Sequence, residues 1–68
     1  MKKKISILIV NYNSSDFIEL SLFALSKLTK NSYQVFIVDN GSEMRDYKNL
    51  LKISQNYEDV FVERREKE

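Results

Sequence analysis

Ile5-Ser6-Ile7-Leu8-Ile9-Val10 runs directly into Asn11-Tyr12-Asn13, and further along Val35-Phe36-Ile37-Val38 runs into Asp39-Asn40-Gly41-Ser42. Both apolar runs are short, rich in β-branched residues and lack alternation. That pattern reads as strands buried on both faces, as in a parallel sheet. Each run ends abruptly in a polar cluster, so the two blocks repeat one design: an apolar strand body and a hydrogen-bonding rim.

Between the blocks the period changes. From Ser14 to Thr29 the apolar residues recur at helical spacing. Phe17, Leu20, Ala24 and Leu28 define the stripe expected to face the sheet, and Ile18, Leu22 and Leu25 widen it. Ser21 sits within that stripe, where a small side chain lets a helix approach closely. Ser14, Ser15 and Asp16 are N-cap candidates, and Asp16 with Glu19 has capping-box spacing. Lys27 and Lys30 suit the dipole of the last turn, and Asn31 is the expected stop. After the second block a helix is expected over residues 43–55, with Ser42 as its cap and Tyr47, Leu50, Leu51 and Ser54 inward. Asn40-Gly41 is also a hairpin signal, but residues 43–55 do not alternate as a returning strand does. Val60-Phe61-Val62 is a third strand, and Glu63 to Glu68 reads as a solvated, charge-balanced end.

The element order β-α-β-α-β implies parallel strands joined by right-handed crossovers. The fold class is therefore α/β: a three-stranded parallel sheet with two helices, one half of a Rossmann-like doubly wound domain. In such sheets ligands bind beyond the carboxyl ends of the strands, where the two polar clusters lie. A tyrosine face stacks a planar base, and an amide or carboxylate pairs with its edge. Gly41 permits a tight turn. The competing reading makes Asn11, Asn13 and Asp39 ordinary turn formers.

Composition removes many other functions. The 68 residues carry 11 Lys+Arg against 10 Asp+Glu, with one Gly and no Pro, Cys, His or Trp. Near-neutral charge leaves no electrostatic footprint for nucleic acid. Without Cys or His there is no disulfide framework, no thiolate or imidazole metal site, and no Ser-His or Cys-His dyad. One Gly cannot make either glycine-rich phosphate-binding fingerprint. Lys2-Lys3-Lys4 before a six-residue apolar run is too short for a signal peptide and has no cleavage site. A cytoplasmic protein is expected, with the inner face of a membrane as a secondary location. A receiver-like phosphoacceptor site at Asp39 lacks the strands that supply its other acid and its lysine.

The paired blocks Ser6-Ile7-Leu8-Ile9-Val10-Asn11-Tyr12-Asn13 and Val38-Asp39-Asn40-Gly41-Ser42 resemble the amino-terminal end of a family 2 glycosyltransferase of the GT-A fold. The resemblance extends from Ile5 to about Arg64. It implies that residues 1–68 form the N-terminal part of a nucleotide-sugar-binding domain. Val10, Asn11, Tyr12, Asn13, Asp39, Asn40 and Gly41 would form the nucleotide-binding rim, with Tyr12 on the base, Asp39 anchoring the strand end and Asn40 at the base edge. Many relatives carry aspartate at the position of Asn40. The implied partners are a uridine- or thymidine-diphosphate sugar and a glycan or lipid-linked acceptor, in polysaccharide synthesis. The variant with Asn40 resembles the rhamnosyl- and galactofuranosyl-transferase branch.

The family's metal-binding D-x-D and its catalytic base belong beyond residue 68. The aspartates here, Asp16, Asp39, Asp46 and Asp59, include no such pair. No cofactor is therefore expected on this chain, Mg or Mn being expected only in a full-length relative, and sugar transfer by the 68 residues alone is not expected. The alternative is a stand-alone interaction or regulatory module without catalytic task. At 68 residues the chain lies below the roughly 70–80 at which one core suffices without staples. In the parent sheet that the resemblance implies, the first strand is interior, so the edge of Ile5–Val10 would be left apolar and ready to pair; self-association through it, or an incompletely stable fold, is expected.

Overall fold

The computed structural model describes residues 5–28 and 33–66. It has β1 (Ile5–Asn11), α1 (Ser15–Leu28), β2 (Tyr33–Asn40), α2 (Met44–Ser54) and β3 (Val60–Arg65). The strands form one parallel sheet in the order β1-β2-β3. The expected half-Rossmann-like arrangement is present. Lys2, Lys3, Lys4, Lys30 and Asn31, singled out in the sequence, lie outside the described residues.

Two connections that step the same way across a parallel sheet, each right-handed, put both helices on one face. α1 and α2 accordingly pack against each other. The core lies between that face and the helices. Ile18 and Leu22 of α1, Val35 and Ile37 of β2, and Leu50 and Ile53 of α2 are buried together. Ile7, Ile9, Val60 and Val62 flank them from the outer strands, and Tyr33, Leu25 and Tyr57 close the margin.

This one-sided cover corrects two expectations. β1 is not buried on both faces: Leu8 and Val10 are 69% and 65% exposed on the side without helices. Phe36 and Phe61, partners in the β2–β3 register, stack at 5.3 Å on that same side. The stripe of α1 that meets the sheet is Ile18 and Leu22, with Leu25 half-buried. Phe17, Leu20 and Ala24, expected inward, are exposed. α1 is apolar on so much of its circumference that periodicity alone does not choose between neighbouring stripes.

α2 runs as expected, with Leu50 buried and Tyr47, Leu51 and Ser54 half-buried. Its N-cap residue is Glu43 rather than Ser42. Ser42 is engaged elsewhere, as described next. β3 is longer than expected, because Glu63, Arg64 and Arg65 continue its pairing with β2.

Candidate functional site

Asn11 and Asp39 face each other in the β1–β2 register. Both are fully buried at the carboxyl ends of their strands. The Asn11 side-chain amide donates to Asp39 Oδ1 and to Asp46 Oδ2, each at 2.9 Å. A longer contact of 3.3 Å reaches the Ser42 hydroxyl. An amide has two hydrogens, so the two carboxylates take the well-made bonds. Asn11 Oδ1 accepts from the Ser14 N–H at 3.2 Å. One side chain thus ties β1 to β2, to α2 and to the start of α1.

Asp39 is equally occupied. Its Oδ1 accepts from Asn11 and from the Ser42 hydroxyl at 2.6 Å. Its Oδ2 accepts from the Ser42 N–H at 3.3 Å and from Arg64 Nη1 at 2.8 Å. Four donors on two oxygens use the lone pairs of a carboxylate, and the guanidinium supplies the charge partner that burial requires. Arg64 Nη2 also donates to the Ser42 carbonyl at 3.1 Å, and its guanidinium lies 4.5 Å from the Tyr47 ring centroid.

The loops are stitched by the same residues. Asn13 N–H donates to Ser42 Oγ at 2.8 Å, and Glu43 N–H donates to Asn13 Oδ1 at 2.8 Å. Asn13 holds φ 51°, in the left-handed region where Asn is tolerated better than most residues. Gly41 turns at φ 75°, which glycine adopts without a Cβ penalty. At α1, Ser14 is the residue whose carbonyl accepts the first helical bonds, from Phe17 and Ile18. The next N–H, of Ser15, donates to Asp46 Oδ1, as does the Ser15 hydroxyl at 2.7 Å. A carboxylate of α2 therefore joins Asp16 of the first turn at the start of α1 and accepts its Ser15 N–H.

Burial pushes the Asp46 carboxyl up, but the donors from Asn11 and Ser15 outweigh it and hold the carboxyl below its ordinary value. An open groove of about 620 Å³ runs past Asp46 between the helices, with Asn13, Asn49, Lys48 and Lys52 on its walls. Asp46 is thus open to solvent protons although its oxygens are engaged.

What projects from this frame is a small set. Tyr12 is half-exposed, Asn40 is exposed and Gly41 is partly exposed at the strand ends. Val10 is exposed on the bare face of the sheet just before the rim. The residues singled out from the sequence therefore divide. Asn11 and Asp39 lie inside the network, Asn13 lies on its surface, and Val10, Tyr12, Asn40 and Gly41 border solvent.

The model of glycosyl transferase family 2 matches residues 6–68, an N-terminal segment of that family's domain. The chain belongs to this family. No curated protein and no solved structure matches this glycosyltransferase chain significantly. No helix among its described residues is long and apolar enough to cross a membrane.

Three residues of this network were not singled out from the sequence: Ser42 as a bridge, Asp46 and Arg64. Arg64 was legible in principle. Val60, Val62 and Arg64 share one face at strand period two, so extending the third strand by two residues points Arg64 at the helices. Asp46 carried no such signal, since its partners lie on other elements.

Proposed function

We propose that the rim at the ends of β1 and β2 is the donor-nucleotide subsite of a family 2 glycosyltransferase. The observation that carries this reading is the division of labour just described. Asn11, Asp39, Ser42 and Arg64 lock two loops together with every side-chain polar atom they bury partnered. Tyr12 and Asn40 stand outside that lock. A rigid frame lowers the entropy cost of holding a flat ligand. The Tyr12 ring gives such a ligand a stacking surface. Asn40 offers both a donor and an acceptor, which suits the alternating edge of uracil or thymine. Val10 and Gly41 line the approach, Asn13 fixes the loop that carries Tyr12, and Asp39 anchors the strand end.

On this reading residues 1–68 are the opening part of a nucleotide-sugar-binding domain, and the donor is a uridine- or thymidine-diphosphate sugar. The acceptor, a glycan or lipid-linked glycan, is recognised elsewhere in such an enzyme. Among the described residues no group of three or more Asp, Glu, His or Cys side chains stands together as metal ligands. The divalent metal that the family implies therefore has no ligand set here, and no step is assigned to it. Transfer needs an activated acceptor hydroxyl and a neutralised leaving group, and the Asn11–Asp39 frame provides neither. The function proposed for these residues is donor binding without turnover.

The test is a titration of the 68-residue chain with uridine diphosphate, followed by amide chemical shifts. Shifts are expected at residues 10–13 and 39–42. Tyr12→Ala, which alters a half-exposed residue, is expected to weaken binding at least tenfold while leaving the spectrum of the core unchanged. Uridine and thymidine diphosphates that produce no shifts in the folded chain would sink the reading and favour a non-catalytic interaction module.

A further inference from the structure

Asn40 ends β2 and is followed by Gly41, and the pair carries chemistry that a turn does not use. In asparagine deamidation the backbone nitrogen of the next residue attacks the side-chain amide carbon. Glycine in that next place favours the attack, because it has no Cβ to crowd the approach and its backbone turns freely. The 68 residues contain one glycine, so no second Asn-Gly pair exists among them.

The other described asparagines are restrained. Asn11 is buried and gives its amide to Asp39 and Asp46. Asn13 Oδ1 accepts from the Glu43 N–H. Asn49 lies inside α2 and donates to Ser15 Oγ at 2.8 Å. Asn56 precedes Tyr57, a bulky residue whose N–H donates to the Ser54 carbonyl at 3.2 Å. The Asn40 side chain, by contrast, makes no hydrogen bond among the described residues. Asn40 also stands on the last rung of the β2–β3 ladder, opposite Arg65. Only that rung has to open for its side chain and the Gly41 nitrogen to meet, and such ends fray at the low end of local stability. The reacting atoms belong to adjacent residues, so the reaction needs water but no bare surface.

We propose that Asn40 is a site of spontaneous deamidation that remodels the rim. Solvent hydroxide takes the Gly41 N–H proton, and the nitrogen bonds to Asn40 Cγ. The Cγ–Nδ2 bond breaks and Nδ2 leaves as ammonia, its third hydrogen coming from water, which regenerates the hydroxide. Water then opens the five-membered imide at either carbonyl. Opening at the Asn40 side-chain carbonyl gives aspartate, and opening at its main-chain carbonyl gives isoaspartate.

The two products act differently on the frame. The Ser42 N–H and hydroxyl reach Asp39 across this dipeptide, at 3.3 and 2.6 Å, and Ser42 Oγ accepts from the Asn13 N–H at 2.8 Å. Isoaspartate adds a methylene to the backbone inside that turn. It draws Ser42 off Asp39 and releases Asn13, and with it the loop that carries Tyr12. Aspartate leaves the backbone unchanged but replaces an amide, both donor and acceptor, by an acceptor-only carboxylate. On the donor-nucleotide reading, on which this last step rests, both products change what the rim offers a base.

The test incubates the 68-residue chain at mildly alkaline pH, which favours loss of the Gly41 proton, beside the same chain unfolded in urea. Peptide mass analysis is expected to show a gain of one mass unit confined to the peptide with Asn40, in the folded chain as in the unfolded one. Enzymatic isoaspartyl methylation is expected to label that peptide. Asn40→Gln, which keeps the amide on a longer arm, is expected to abolish both signals. In the isolated isoaspartyl form the Asn13 and Ser42 amide shifts should move far more than in the Asn40→Asp variant. A folded chain that stays unmodified while the urea sample converts overturns the proposal. So does a mass gain that survives Asn40→Gln, or a chain that circular dichroism finds unfolded without urea. Isoaspartate with unmoved Asn13 and Ser42 amides overturns the loosening of the frame. These readouts need no nucleotide, so failure of donor binding and failure of deamidation are told apart.

Discussion

Asp46 shows how one carboxylate links proton chemistry to chain geometry. It accepts from Asn11, from the Ser15 N–H and from the Ser15 hydroxyl, so it caps α1 from a distance and ties α2 to the end of β1. Its carboxyl is held below the ordinary 3.8 in the folded chain. A group with a lowered folded value binds protons more readily when unfolded, so its stabilisation is fully present above 3.8 and is lost as pH falls through the lowered value. Asp46→Ala is expected to cost about 1–2 kcal/mol at neutral pH, the usual worth of a helix-capping acceptor. The difference from the parent chain should close as the solution is acidified, because the variant has no such contribution to lose. Urea unfolding of both chains between neutral and acid pH checks this; a difference that stays constant would mean that Asp46 acts through packing alone. Residues of this kind are the hardest to read from sequence. Asn11 and Asp39 drew notice because each ends an apolar run, yet burial at those ends serves a frame as readily as a ligand. Tyr12 and Asn40 differ from them only in exposure, which depends on how two loops from separate elements meet.

At the scale of elements, the order of strands and helices was legible because periodicity changes sharply at Asn11, Tyr33 and Asp39, and because capping residues stand at those changes. Which stripe of α1 faces inward was not. Phe17, Leu20 and Ala24 form as good a helical stripe as Ile18, Leu22 and Leu25, and only the position of α2 on the same side of the sheet decides between them. The consequence is measurable. Leu22 is 1% exposed and touches the core, whereas Leu20 is 67% exposed. Leu22→Ala is expected to cost about 2–5 kcal/mol, enough to unfold most of a domain this small. Leu20→Ala should stay within about 0.5 kcal/mol. Chemical denaturation of the two variants distinguishes them, and equal costs would restore the stripe that includes Leu20.

At the scale of the whole molecule, the described residues form a sheet covered by helices on one side only. That follows from topology: two same-sense, right-handed crossovers in the order β1-β2-β3 put both helices on one face. The apolar runs of β1 and β2, which read as strands buried twice over, are therefore half-satisfied. Leu8, Val10, Phe36 and Phe61 remain at 40–69% exposure there. Burying such side chains is worth about 25 cal/mol per Å², so this face forgoes hydrophobic stabilisation, as does the outer side of α1, where Phe17, Leu20 and Phe23 are exposed. The Phe36–Phe61 stack recovers part of it, about 0.5–1.5 kcal/mol for an aromatic pair. Replacing Leu8 and Phe61 together by Thr puts β-branched residues of good strand propensity at both positions and removes two apolar surfaces from the face. The folded double variant is expected to lose part of its fluorescence with a dye that binds exposed apolar surface, the rest coming from the exposed apolar side of α1. Its stability should fall by no more than about 1.5 kcal/mol, the worth of the lost stack. Undiminished dye binding would place the accessible apolar surface elsewhere, and a loss above about 3 kcal/mol, in the range for truncating a buried Leu or Phe, would mean that Leu8 and Phe61 are buried in solution.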